Sequence, residues 1–198
     1  MTGPLSDRGR PGDDGEGPPF SRRPRRRGPE EGEVQVFGAD EQDQSPVEVD
    51  RWVLLAHEVL IAEGVEGDAE LSLLFVDELA MSELNERFME KTGPTDVLAF
   101  PIDETGPIGR WPDAGSTGPD RTDPDGDDAP LLLGDVVLCP AVAARQAPEH
   151  STTADDEMAL LVVHGVLHVL GYDHAEDDEA ARMKAREREL LDQFHRNQ

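Results

Sequence analysis

Apolar residues form short runs and helical stripes from about residue 33 onwards, whereas Gly, Pro, Arg and acidic residues dominate the chain before this point. Four segments have the length and apolar content of strands, namely residues 34–37, 70–76, 96–100 and 132–138. Short apolar runs bounded by polar or turn residues are typical of buried strands. The pattern therefore predicts a folded domain in which the strands of a small sheet alternate with helices.

Two helices are predicted in the first half of the chain. The first has an apolar stripe at helical spacing, with Asp50 as its N-cap and Gly64 as its stop signal. That stripe consists of Trp52, Leu55, Ala56, Val59 and Leu60. The stripe of the second helix consists of Met81, Leu84 and Phe88. Gly93 and Pro94 are expected to end the second helix.

Two further helices are predicted towards the C-terminus. Thr152 and Thr153 each precede an aspartate by three residues, which is the capping-box arrangement at the start of a helix. The segment A-L-L-V-V-H-G-V-L-H-V-L that follows is apolar on nearly all sides, so we expect a buried helix that ends at Gly171. The last helix has one apolar stripe, which consists of Met183, Leu190, Leu191 and Phe194.

Two segments lack the apolar residues of a folded core. Residues 1–32 can bury too little surface to offset the loss of chain entropy, so we predict a disordered tail there and a folded domain over residues 33–198. The arginine-rich run at residues 22–27 is compatible with RNA or ribosome binding, and equally with a solvated tail. An acidic stretch rich in Gly and Pro at about residues 103–130 predicts a flexible surface loop, either functional or merely tolerated.

Composition narrows the classes of function. With 44 acidic against 18 basic residues, the formal net charge is -26. General attraction to phosphate therefore cannot drive binding to nucleic acid by the chain as a whole. Any contact with nucleic acid must depend on local features. Cys139 is the single cysteine, which excludes an intrachain disulfide framework and suits a small buried apolar residue in a reducing cytosol. No apolar run is long enough to span a bilayer and no secretory signal is visible, so we expect a cytoplasmic protein.

Three histidines carry the strongest chemical signal. In H-G-V-L-H-V-L-G-Y-D-H at residues 164–174, His164 and His168 are four residues apart, so both imidazoles project from one helix face. That separation suits two ligands of one tetrahedral zinc ion. Gly171 lets the chain turn back, which brings in His174 as a third ligand and leaves the fourth position open for water. We predict one catalytic zinc ion per chain.

Gly165 separates this site from a similar protease pattern. The metzincin proteases share the histidine spacing but have a glutamate, the general base, directly after the first histidine. A peptidase is therefore disfavoured, whereas phosphodiester hydrolysis remains feasible because zinc activates water and polarises a phosphoryl oxygen. The alternatives are histidines without a metal and a purely structural zinc closed by Cys139 or Asp173. For Asp173 the expected role is to orient an imidazole from outside the ligand set.

Two other segments accompany the histidine segment. They are G-P-T-D-V-L-A-F-P at residues 93–101 and L-L-G-D-V-V-L-C at residues 132–139. Together, the three segments resemble the YbeY-type endoribonucleases, or rRNA maturation factors, and the resemblance covers about residues 33–195. It implies an α+β fold with a small mixed sheet, about five helices, a buried H-x-x-x-H helix and a metalloprotease-like topology.

The resemblance also implies a function. It implies zinc at His164, His168 and His174, in a single-strand-specific endoribonuclease that matures the 3′ end of small-subunit rRNA and acts in ribosome quality control. The implied partners are single-stranded RNA, ribosomal subunits and small-subunit assembly factors, with no membrane or DNA involved. The runner-up interpretation is an assembly factor that binds ribosomal subunits through its surface and has a mainly structural zinc.

Two positions depart from the family pattern. Many members have an arginine, thought to contact RNA phosphate, at the position of Met89. Lys91, two residues later, is expected to offer the substrate a point charge but not a bidentate fork. The family's usual V-L-S-F reads V-L-A-F here, so Ala99 removes a hydroxyl near the expected cleft. Both changes bear on the strength of nuclease activity and leave the zinc ligands intact.

Overall fold

The computed structural model describes residues 33–102, 130–174 and 176–196. The tail predicted over residues 1–32 and nearly all of the predicted acidic loop lie outside these ranges, so both stay predictions. The described residues form four strands and five helices, in the order β1 (Val34–Asp40), α1 (Val49–Ala62), β2 (Ala69–Phe75), α2 (Glu78–Met89), β3 (Val97–Pro101), β4 (Leu131–Leu138), α3 (Pro140–Gln146), α4 (Ala154–Val169) and α5 (Asp177–Phe194).

The four strands form one mixed sheet in the order β1-β2-β4-β3. Strands β1 and β4 both pair with β2 in parallel, and β3 pairs with β4 in antiparallel orientation at the edge. Gly134 of β4 lies next to a register shift between β2 and β4, and its φ is +150°. A Cβ atom there would lie 2.3 Å from the carbonyl oxygen of Phe100, so glycine is needed for this close approach of β3 and β4. The predicted α+β fold with a mixed sheet is confirmed.

Two hydrophobic clusters cover the two faces of the sheet. One joins the buried stripes of α1, α4 and α5 to alternate residues of β2, which are Leu71, Leu73 and Phe75. The other joins α2 and α3, through Met81 and Val142, to the opposite face. Helix α4 contacts β3, β4, α1, α3 and α5, which explains why it is buried along most of its length, as predicted.

Two helix ends differ from the sequence prediction. Asp50 is not the N-cap of α1, because the helix begins after Glu48 and Asp50 lies in its first turn. There its carboxylate still complements the positive end of the helix dipole. Helix α2 ends before Gly93, because Glu90 already adopts the left-handed conformation with a φ of +56°. The stop signal at Gly64 is confirmed, since its φ is +76° directly after the end of α1.

Cys139 is buried in the cluster that joins α2 and α3 to the sheet, which confirms its prediction as a small core residue. Burial raises the pKa of its thiol, and a backbone hydrogen bond from Val142 lowers this pKa to a smaller extent. None of the described helices is long and apolar enough to cross a bilayer.

Candidate metal centre

Helix α4 presents two of the predicted ligands. Its N-cap is Thr153, whose hydroxyl accepts a hydrogen bond from the backbone N–H of Asp156 at 3.0 Å and donates one to the Asp156 carboxylate at 2.7 Å. The helix ends as predicted at Gly171, which has a φ of +90°. Between these ends, His164 and His168 are one turn apart and project from the same face.

The three predicted histidines converge on one point. Each of His164, His168 and His174 offers a ring nitrogen, and these nitrogens lie within 4.8 Å of one another. The Nε2 atoms of His164 and His168 are 3.1 Å apart. Two nitrogens bound to one tetrahedral zinc ion are separated by about 3.3 Å, given Zn–N bonds of roughly 2.0–2.1 Å. The arrangement therefore fits a single ion of this size.

Hydrogen bonds to the outer ring nitrogens determine which nitrogen faces the centre. Nδ1 of His164 donates to Oε1 of Glu187 at 2.7 Å, and Nδ1 of His168 donates to the carbonyl oxygen of Tyr172 at 2.9 Å. With these protons on Nδ1, both Nε2 atoms direct lone pairs at the same point. Two facing lone pairs repel each other, and a cation between them removes that repulsion. The donor set thus suits a metal ion.

The centre is open to solvent on one side. His164 and His168 are half-buried, whereas His174 is exposed. Burial lowers the pKa of His168, and the neighbouring His164 lowers it further, which favours the neutral imidazole that binds metals. Among the described residues no cysteine or carboxylate joins the cluster as a fourth ligand. Three protein ligands and an open position are typical of catalytic zinc sites rather than structural ones.

Glu187 of α5 is a site residue that the sequence analysis did not identify. Its side chain is only 10% exposed, and its carboxylate holds a ligand located 23 residues earlier in the chain. A signal was present, because position 187 lies one turn after Met183 and one turn before Leu190 and Leu191 in the buried stripe of α5. A carboxylate within a buried stripe requires a polar partner.

A second network holds the segment between His168 and His174. The hydroxyl of Tyr172 donates to Oε2 of Glu63 at 2.6 Å, and Nε of Arg186 donates to Oε1 of the same carboxylate at 2.6 Å. Burial and the adjacent Glu63 raise the pKa of Tyr172, so its phenol remains a donor. The network connects the end of α1 and helix α5 to the residue whose carbonyl orients His168.

Comparison with known proteins decides the family. Residues 38–195 match the model of the family described as Endoribonuclease YbeY. The chain belongs to the YbeY endoribonuclease family. It is similar to three relatives named Endoribonuclease YbeY, from Mycolicibacterium vanbaalenii (45% identity, covering 79% of this chain and 76% of the relative), Beutenbergia cavernae (48%, covering 75% and 91%) and Acidothermus cellulolyticus (50%, covering 75% and 86%). A solved structure from Thermotoga maritima is 22% identical with a TM-score of 0.47, covering 83% of this chain and 93% of that one.

The match confirms the resemblance drawn from the three sequence segments. It spans the strands and helices that position the histidines, since residues 38–195 include all of α1 to α5. The family consists of nucleases that act on RNA. This chain is assigned to it because its sequence matches the family model and relatives of the same name. The candidate metal centre described above therefore lies within the residues that match the family model.

The remaining predicted residues of this YbeY-family chain lie outside the imidazole cluster. Asp173 is exposed, and its carboxylate accepts a hydrogen bond from the backbone N–H of His174 at 2.7 Å. It therefore orders the backbone of a ligand, and its predicted contact with an imidazole stays a prediction. Met89 is exposed at the end of α2, and Lys91 is exposed two residues after it. Ala99 of β3 packs against the hydrophobic cluster that contains α1, α4 and α5. The role of Lys91 in substrate binding also stays a prediction.

Gly165 faces the sheet. A Cβ atom at this position would lie 2.4 Å from Cγ1 of Val136 and 3.3 Å from Cγ2 of Val97. The first of these separations is far shorter than carbon atoms in contact allow. Any side chain at this position would therefore force Val136 or helix α4 to shift. The close packing of α4 on the sheet thus disfavours the glutamate of the protease pattern.

Proposed function

We propose that this chain is a zinc-dependent endoribonuclease specific for single-stranded RNA, which matures the 3′ end of small-subunit rRNA and takes part in ribosome quality control. The observation that carries the proposal is the convergence of three imidazoles on an open site in a member of the YbeY family. Ribosomal subunits and small-subunit assembly factors are its proposed partners, and the cytoplasm is its proposed location.

The described residues would bind and orient the metal and the substrate. His164, His168 and His174 would hold one zinc ion, with Glu187 fixing the ring of His164. Zinc supplies Lewis acidity toward a phosphoryl oxygen and makes water a nucleophile near neutral pH. Because the carboxylate of Glu187 is engaged by His164, it orients a ligand and does not act on the substrate.

Metal content and RNA cleavage together test the proposal. We expect about one zinc ion per chain and cleavage of single-stranded RNA that is lost on chelation and restored by zinc. His168→Ala removes one ligand and is expected to reduce cleavage to background. His57→Ala, which changes a histidine of α1 outside the cluster, is the matched control and should retain activity. Cleavage that survives both His168→Ala and the chelator would reject the proposal.

Analysis of the product ends separates two routes of phosphodiester cleavage. Attack by water that breaks the bond between phosphorus and the 3′ oxygen leaves a 5′-phosphate and a 3′-hydroxyl. Attack by the ribose 2′-hydroxyl breaks the bond to the 5′ oxygen and leaves a 2′,3′-cyclic phosphate and a 5′-hydroxyl. In both routes, His164, His168 and His174 would hold the zinc ion, whose Lewis acidity would serve either nucleophile. The end groups therefore assign the nucleophile without altering the proposed ligands.

An assembly factor with a mainly structural zinc is the second candidate. The net charge of -26 and Met89, in place of the family's arginine, favour this candidate because both weaken RNA binding. It predicts that a folded His168→Ala variant restores rRNA processing in a deletion strain. The exposure of His174 and the three-ligand set support the enzymatic proposal instead.

A further inference from the structure

A cleft beside the metal centre contains basic side chains that the proposed function has not used. It lies between α4, α5 and the segment before α4, and has a volume of about 450 Å³. Clefts of roughly 300–1,000 Å³ are typical of sites for small ligands. The residues that matter for the argument are His150, Glu157, Leu160, Lys184, Glu187 and Arg188.

The cleft and the metal centre are neighbours. Glu187 lines the cleft and also holds Nδ1 of His164 at 2.7 Å. Along α4, Leu160 and Glu157 lie four and seven residues before His164, which corresponds to ~6 Å and ~10 Å at the helical rise. A strand of RNA with one phosphate at the metal centre can therefore place a flanking phosphate in the cleft.

Lys184 and Arg188 are the cations available to a ligand. Both are exposed and lie four residues apart on α5, so their side chains project from the same face. Within the part of the chain that the structure describes, neither side chain has a hydrogen bond, an ion pair or a ring contact. Two other arginines of α5 already have partners. Arg182 donates a hydrogen bond to the carbonyl oxygen of Asp178, and Arg186 forms an ion pair with Glu63.

The carboxylates of the cleft are engaged by other groups. Glu157 is only 2% exposed and its Oε1 is 2.9 Å from Nδ1 of His150. The carboxylate of Asp156 is 2.7 Å from the Thr153 hydroxyl, which lowers the pKa of Asp156 and keeps it ionised within the helix cap. In a chain with a net charge of -26, cations without acidic partners are the most favourable contacts for a phosphate.

We propose that the cleft formed by Lys184 and Arg188 binds a phosphate of the same RNA strand that is cleaved at the metal centre. This inference rests on the proposed function. Arg188 offers a planar fork that matches two phosphate oxygens, and Lys184 adds a compact charge beside it. The pair thus provides two adjacent positive charges for one phosphate.

The test is a double variant, Lys184→Gln with Arg188→Gln, in the zinc-loaded protein. Binding of a fluorescent single-stranded RNA is measured by anisotropy at several salt concentrations, under conditions in which a gel shows the RNA intact. We expect affinity to fall by about tenfold and the slope of log affinity against log salt to flatten by about 0.7, since the cleft is proposed to neutralise one phosphate and each neutralised phosphate of a single strand contributes about 0.7. In cleavage assays, KM should rise while kcat changes by less than about twofold.

The matched control is Arg145→Gln with Arg182→Gln, which removes the same charge outside the cleft. Circular dichroism verifies that both double variants fold. Selective loss of affinity and salt dependence in the Lys184 and Arg188 variant supports the cleft. Equal effects in both double variants, or an unchanged salt slope, would overturn the cleft proposal while wild-type cleavage leaves the proposed function standing. Absence of both RNA binding and zinc-dependent cleavage in the wild-type protein would overturn both proposals.

Discussion

The carboxylate of Glu187 keeps the proton of His164 on Nδ1 and thereby directs Nε2 of that ring to the candidate metal centre. A carboxylate in this position also makes the imidazole a stronger base toward a metal. The carbonyl oxygen of Tyr172 has the same orienting role for His168, but carries no charge. Glu187 is therefore the outer residue whose loss should affect metal affinity most.

We expect Glu187→Gln to weaken zinc binding by about 10- to 100-fold, because the replacement keeps the shape but removes the charge next to His164. Competition with a chromophoric chelator measures the affinity. Glu189→Gln is the control, since Glu189 lies on the same helix with a side chain that is 64% exposed. Equal zinc affinities in the two variants would show that Glu187 has only a packing role.

At the level of single residues, the sequence predicted the ligands but not their supports. His164, His168 and His174 could be predicted because they are close along the chain, and helical spacing alone brings two of them together. The contact of Glu187 depends on how α5 packs on α4, and no local pattern contains that information. The steric role of Gly165 likewise depends on β3 and β4, which come from distant parts of the sequence.

Helix α4 carries two of the three histidines of the candidate metal centre, and its start is defined by one side chain. Thr153 both accepts a hydrogen bond from the backbone of Asp156 and donates one to its carboxylate, whereas Thr152 lies outside the helix. The sequence marked both threonines as candidates, since each precedes an aspartate by three residues. The structure identifies Thr153 as the cap.

Replacing Thr153 with alanine should lower the free energy of unfolding by about 1 kcal/mol, because the N–H of Asp156 loses its acceptor. Urea denaturation followed by circular dichroism measures the change. Thr152→Ala is the matched control and should alter stability by less than about 0.5 kcal/mol. A larger loss in Thr152→Ala than in Thr153→Ala would contradict the assigned cap.

At the level of elements, the length of each helix or strand determined whether the sequence could predict it. The four strands and the helices α1, α2, α4 and α5 follow from apolar runs and stripes. Helix α3 was not predicted, because its seven residues are too few to show a periodic stripe. The strand order β1-β2-β4-β3 could not be predicted from the sequence either, since pairing depends on which strand edges meet in three dimensions.

At the level of the whole molecule, Cys139 reports on the integrity of the fold. It is the single cysteine, is fully buried, and lies where β4 meets α3. Because burial raises the pKa of its thiol, the unfolded state loses this proton at lower pH than the native state. The stability linked to this proton is complete below the unfolded pKa and declines as the pH rises above it.

We expect the Cys139 thiol to react with a disulfide reagent at pH 8 at least about a hundredfold more slowly in the native protein than in urea. The release of the chromophore measures the rate, and Cys139→Ser provides a control without any signal. The difference should narrow as urea approaches the unfolding midpoint, since opening of the fold exposes the thiol. Equally fast labelling with and without urea would contradict the burial of this side chain.

The order of the elements along the chain has a consequence for synthesis, which proceeds from the N-terminus. All four strands precede His164, and Glu187 follows that ligand by 23 residues. The residues of all four described strands are therefore synthesised before the first of the three clustered histidines, and Glu187, which fixes the ring of His164, is added only with α5. The complete candidate metal centre, with Glu187 in place, is thus available only near the end of translation.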